Sequence, residues 1–128
     1  MLDQRFLECR VSVLLVVLLL SGCAVLQPQP AHRDVLALNA EAMAAYHDED
    51  WDAARDAYER LVESDPGRAL AWYRLGNLQS REEELDAAIA SYREALSLQP
   101  DYPEARHNLG LVMIRRGAEQ LRQGRREL

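Results

Sequence analysis

Side chains able to do chemistry fall into three groups in this sequence. Two thiols, Cys9 and Cys23, stand near its start. Three imidazoles, His32, His47 and His107, are isolated from one another along the chain. Two acidic runs, Asp48-Glu49-Asp50 with Asp52, and Glu82-Glu83-Glu84, could hold a hard cation in principle, but neither carries the spaced oxygen ligands of a calcium loop. No Gly-rich phosphate loop, GxSxG, HExxH or CxxC pattern is present, so the chain reads as a non-enzyme with no metal site. The one thiol in a distinctive setting is Cys23, which follows the small residues Ser21 and Gly22 at the end of an apolar run.

That run, Val11 to Leu20, is interrupted only by Ser12 and preceded by Arg5 and Arg10, the layout of a secretory leader. Even extended to Leu26 it reaches only about 16 residues, short of the ~20 that span a bilayer as a helix. Leu20-Ser21-Gly22-Cys23 resembles the lipobox of bacterial lipoproteins. One departure is that Asp3 and Glu8 cancel the two arginines, leaving only the amino terminus to make the leader positive. An ordinary secretory peptide cleaved nearby is the alternative.

The lipobox resemblance implies cleavage before Cys23 and covalent diacylglycerol and N-acyl lipid on its new terminus, with no other cofactor. The mature chain would keep 128 − 22 = 106 residues and a single thiol, so it could form no internal disulfide. Two or three acyl chains hold stably where one holds marginally, each buried methylene contributing roughly 0.8 kcal/mol. Ala24 after the cysteine implies, by the same resemblance, the periplasmic face of the outer membrane.

Residues 1–22 are thus expected to form the leader and 23–33 a lipidated linker, in which Gln27-Pro28-Gln29-Pro30 favours an extended spacer. Residues 34–128 are left for one small domain. With 48% apolar and 28% charged residues the chain as a whole is expected to be globular. A net charge of −6 excludes a general nucleic-acid binder, which needs a dense basic face. The charge is uneven. Cys23 to Ile114 carries eight Arg and seventeen acids, a balance of −9, whereas Arg115 to Leu128 carries five Arg and two Glu, a balance of +3.

The domain repeats itself. Trp51, Asp52, Ala53, Ala54, Tyr58 and Pro66 match Leu85, Asp86, Ala87, Ala88, Tyr92 and Pro100, always at the same offset of 34. Trp51, Ala54, Tyr58 and Leu61 are spaced as one face of a helix, with small residues where a second helix approaches. Gly76 likewise removes a side chain where two helices meet. Pro66 and Pro100 end each unit. Asp101, Pro103 and Glu104 read as a capping box opening the next helix.

The period and the residues Trp72, Leu75, Gly76, Leu85, Ala88, Tyr92, Ala95 and Pro100 resemble the tetratricopeptide repeat. The resemblance covers roughly Asp34 to Gly117, strongest in the middle unit. It implies an all-α fold, a right-handed superhelical stack of about three helix hairpins with units near 35–68, 69–102 and 103–128. Helices are expected over Asp34–His47, Trp51–Ser64, Ala69–Ser80, Leu85–Leu98, Pro103–Arg116 and Ala118–Glu127. The last is polar, because Glu119, Arg122 and Arg126 fall where apolar residues belong, and is read as a cap on the stack.

In this family the first helices of the hairpins line a concave groove. Here that implies a groove lined by Asn39, Met43, Tyr46, Tyr73, Asn77, Ser80, Arg81 and His107, with Leu111 and Ile114 at the next positions on that face; of these, Met43, Leu111 and Ile114 read as ordinary packing residues. The family's Lys-and-Asn clamp for a terminal carboxylate does not fit, since no Lys occurs. The expectation is a membrane-anchored adaptor or assembly factor of the cell envelope, of the pilus, secretion or outer-membrane type, that docks another envelope protein in its groove. A self-associating structural lipoprotein, forming homo-oligomers, and an accessory to cell-wall enzymes are the alternatives.

Overall fold

A computed structural model describes the backbone of residues 30–126 and the side chains of residues 34–126. Leu20, Ser21, Gly22, Cys23 and residues 27–29 of the expected spacer lie outside the described residues. Five α-helices follow one another: α1 Pro30–His47, α2 Trp51–Ser64, α3 Ala69–Arg81, α4 Leu85–Leu98 and α5 Pro103–Gly124. Helix α1 reaches back through residues 30–33, which the Pro-Gln pattern placed in an extended spacer. A proline at the first helical position is tolerated because the N–H it lacks would have no partner there.

The apolar faces read from the period form the core. Ala54, Ala57, Tyr58, Leu61 and Val62 of α2 pack with Leu38 and Ala42 of α1 and Ala71, Leu75 and Leu78 of α3. Leu85, Ala88 and Tyr92 of α4 pack with Val112 of α5. Small residues set the distance between helices. A Cβ at Gly76 would lie 2.8 Å from two ring carbons of Tyr92, so only glycine lets that ring lie against α3.

The two hairpin turns are built alike. Glu49 and Glu83, one period apart, both adopt left-handed backbone, with φ of 59° and 63°. The next amide in each turn reaches back to close it, Asp50 N–H to the Ala45 carbonyl and Glu84 N–H to the Gln79 carbonyl. Asp50 also caps α2 by accepting from the Ala53 amide at 3.2 Å. The acidic runs are therefore turn and cap residues, and the second is largely neutralised: Arg55 binds both Glu82 and Glu84, and Arg115 binds Glu83.

Each inter-unit loop is tied down by the first helix that follows it. The Trp72 indole N–H donates to the Pro66 carbonyl at 2.8 Å. One period later, the Arg106 guanidinium donates in the same way to the Pro100 carbonyl.

Two expectations fail at α5. The N-cap is Tyr102, which makes no side-chain cap bond, so Asp101 and Glu104 form no capping box; Pro103 takes the first helical position. And the sixth helix does not exist, because α5 runs unbroken past Gly117 to Gly124. Glu119, Arg122 and Arg126 stand one period after Leu85, Ala88 and Tyr92, so folding them back would bury charges without partners. A straight helix keeps them in water. The described residues hold two hairpins and one long helix in place of three hairpins.

Alanine at two helical glycines should move stability in opposite directions, measured by urea unfolding of the full chain. Gly76→Ala forces the Tyr92 ring away and is expected to cost about 1–3 kcal/mol. Gly117→Ala removes a flexible residue from a helix interior with open space around it and is expected to add about 0.5–1 kcal/mol. A loss at Gly117 would mean that this position turns as Glu49 and Glu83 do.

Candidate functional site

Helices α1, α3 and α5, the first arms of successive units, share one face, and the tyrosine hydroxyl of α4 reaches it from below. Tyr92 is 1% exposed, yet its hydroxyl emerges beside Asn77 and donates to the Asn77 Oδ1 at 2.8 Å. The same oxygen accepts from Asn108 of α5 at 2.9 Å, and the Asn77 amide nitrogen donates to the Tyr46 hydroxyl of α1 at 3.3 Å. Asn108 also reaches the Tyr73 hydroxyl at 3.4 Å. One amide thus links four helices. Such a network fixes its members in place, because each would lose a partner by moving.

Beside it lies the Arg74 cation. The Arg74 guanidinium carbon sits 4.4 Å from the Tyr46 ring centre and 5.8 Å from that of Tyr73. Burial works against its charge, but the hydrogen bond to Tyr46, with Tyr58 and Tyr73 nearby, more than offsets this and holds its pKa above the ordinary value. Among the described residues Arg74 has no carboxylate partner, unlike Arg55, Arg115 and Arg116. Tilted aromatic rings extend the surface: Tyr73 lies 6.1 Å from Tyr92 and 5.0 Å from Tyr102.

An open cleft of about 530 Å³ continues toward the end of α3, lined by Asn77, Ser80, Arg81, Asn108, Leu111 and Ile114 among others. Ser80 receives the Arg115 guanidinium at 3.3 Å, and Arg81 stacks 4.1 Å over Trp51 at the rim.

The structure therefore brings together Tyr46, Tyr73, Asn77, Ser80 and Arg81 of the expected groove. It does not bring in the others. Asn39 lines a separate hollow with the α2–α3 loop and the end of α4, and its amide contacts the exposed Met43 sulfur on its own helix at 3.4 Å. His107 is exposed on α5 and does not line the cleft. Leu111 and Ile114, expected as packing residues, are instead 50% and 71% exposed. Arg74, Asn108 and the Tyr92 hydroxyl were missed. Arg74 and Asn108 are one period apart, so carrying the repeat onto the polar positions would have found the pair.

A family model described as Tetratricopeptide repeat matches residues 39–103 and again residues 78–121. The chain belongs to the tetratricopeptide repeat family. Tetratricopeptide proteins mediate protein–protein interaction and assembly, and that coarse role goes with the family. The chain is 30% identical over 115 residues to a peroxisomal targeting signal receptor of Candida albicans, covering 90% of this chain and 19% of the receptor. It is 29% identical over 90 residues to the photosystem I assembly protein Ycf3 of Synechococcus, covering 68% of this chain and 52% of that one. The chain thus spans about a fifth of the first relative and half of the second. Among solved structures, the O-GlcNAc transferase of Thermobaculum terrenum superposes with a TM-score of 0.61 at 25% identity, over 69% of this chain and 17% of that one. The TPR2B domain of yeast Sti1, in a complex with an Hsp70 peptide, gives 0.57 at 19% identity, over 62% and 64%, a likeness of fold alone.

Burial, only partly opposed by Asn108, pushes the Tyr92 phenol up to about 12. The folded protein therefore holds this proton more tightly than the unfolded chain, whose tyrosines titrate near 10. Stability from this group is full below about pH 10 and is lost as pH rises from 10 toward 12. Alkaline difference spectra should show a late tyrosine whose ionisation accompanies loss of helix. Ionisation of all tyrosines near pH 10 with the helices intact would contradict this.

Proposed function

We propose that this chain is a lipid-anchored adaptor of the bacterial cell envelope, held by Cys23, that takes an extended or helical segment of another envelope protein into the groove of α1, α3 and α5. The observation that carries the groove is Arg74, a charge held between Tyr46 and Tyr73 with no carboxylate partner among the described residues, beside the fixed amides of Asn77 and Asn108. Amides held in place can meet the backbone of a bound segment, and the guanidinium suits an acidic side chain on it. The ordering is already done in the free protein, which lowers the cost of binding.

The relatives support this reading by kind. One is a receptor for a targeting signal, another an assembly protein, and the Sti1 domain is seen with an Hsp70 peptide. The anchor rests on Leu20-Ser21-Gly22-Cys23 after its apolar run, and the outer membrane on Ala24. No part of the reading calls for catalysis, or for a cofactor beyond the lipid.

Two measurements test it separately. Radiolabelled palmitate should enter the full chain expressed in a bacterium, and Cys23→Ser should abolish both the label and pelleting with membranes; an unlabelled wild type would remove the anchor. A photo-crosslinking residue at position 80 in the cleft should trap a defined envelope protein, one at the exposed Arg93 of α4 should not, and Arg74→Glu should lose the adduct at 80. The same adducts from both positions, or an adduct indifferent to Arg74→Glu, would remove the groove.

A further inference from the structure

From the cleft onward, α5 carries a seam that no described residue covers. Leu111, Ile114, Ala118 and Leu121 recur at spacings of three, four and three, the pattern by which one helix packs along another. All four are exposed, and the three large ones are 50%, 71% and 73% exposed.

The two edges of this seam differ. Gly110, Gly117 and Gly124 run along one side at intervals of seven, and a Cβ on any of them would meet nothing within 4 Å. Glycine inside a helix costs about 1 kcal/mol relative to alanine, and no contact among the described residues requires Gly110 or Gly117. Their effect is to let another backbone come close. The other edge is basic. Arg115 and Arg122 flank the seam there, Arg115 held by Glu83 and Ser80 and Arg122 donating to the carbonyl of Ala118, while Arg125 continues the line of Leu111 and Ala118; among the described residues neither Arg122 nor Arg125 has a carboxylate partner. In a chain of net charge −6, the stretch from Arg115 to Leu128 is +3.

We propose that this seam docks an amphipathic helix of another protein, one whose apolar residues follow the same heptad spacing and whose flank is acidic. The inference goes beyond the groove reading and shares with it the end of the cleft at Asn77, Ser80, Leu111 and Ile114. A helix fits the shape, because Leu111 and Ile114 open into a cleft with Asn77 and Ser80 that a rod can enter and a flat lipid surface cannot. A second copy fits the charge poorly. Two α5 seams laid antiparallel set one Arg edge against the other, and laid parallel they stack Arg125 on Arg125.

The test uses the full chain in phosphatidylcholine nanodiscs, with empty discs as the blank. The probes are two fluorescent helical peptides of about three heptads, identical but for Glu or Lys along the flank, read by anisotropy. The Glu peptide is expected to bind at least about tenfold tighter than the Lys peptide. Leu121→Asp should weaken it by a similar factor, and Arg122→Glu should reverse the preference between the two. Arg74→Glu should leave all of this unchanged, which separates the seam from the groove. Both seam substitutions lie at exposed positions outside the core, so the fold survives them. Equal affinity for the two peptides, or a preference untouched by Arg122→Glu, would overturn the proposal. So would capture of phosphatidylglycerol discs in place of the peptide, or a dimer of the wild type that Leu121→Asp dissociates.

Discussion

Everything distinctive about this molecule depends on the close approach of the Tyr92 ring to Gly76. Two ring carbons lie 2.8 Å from where a Cβ would be, too close for any side chain, so α3 and α4 can lie closer than two helices with side chains between them. That closeness places the phenol hydroxyl at the surface of the groove, 2.8 Å from Asn77. Asn77 in turn holds Asn108 and reaches Tyr46. A packing contact inside one hairpin thus becomes the support for a polar surface shared by α1, α3 and α5. The same burial that lets Tyr92 fill the core raises its pKa to about 12.

The repeat is used at several levels. At the apolar positions it builds two packed clusters from equivalent faces, Ala54 and Tyr58 in one, Ala88 and Tyr92 in the other. At the turns it reproduces a backbone conformation that glutamate adopts reluctantly, at Glu49 and Glu83. At the loop ties it preserves the role while changing the residue, an indole at Trp72 and a guanidinium at Arg106. The third copy then departs from the pattern. Gly117 could turn at no cost, yet the helix runs on, since a turn there would bring charged residues into the place of Leu85, Ala88 and Tyr92. Burial of the following arm decides whether a hairpin forms, and turn geometry alone does not.

That departure shapes the surface. A third hairpin would have covered one side of α5. Without it, the described array closes on an exposed helix with an apolar seam, a glycine edge and a basic edge. Contacts that bridge the described units, such as Asn77 with Asn108 and Arg116 with Asp86, add to the apolar packing between them.

The sequence by itself determined the family, the repeat period, most of the helix boundaries in the two hairpins, and the core faces, because all of these follow from the spacing of apolar, small and proline residues along the chain. It also determined Gly76 as a point of close approach. It put Tyr46, Tyr73, Asn77, Ser80 and Arg81 on one face, since first helices of equal repeats must face alike. Tertiary structure alone decided the rest. Asn39 looks instead toward the α2–α3 loop and the end of α4, a neighbourhood that no local pattern records. Arg74 acquires its meaning only from the two tyrosine rings around it and from the carboxylates that pair with other arginines. The long α5 was hidden for a similar reason. Local pattern shows where a chain can turn, but whether it does depends on what the turned segment would be packed against.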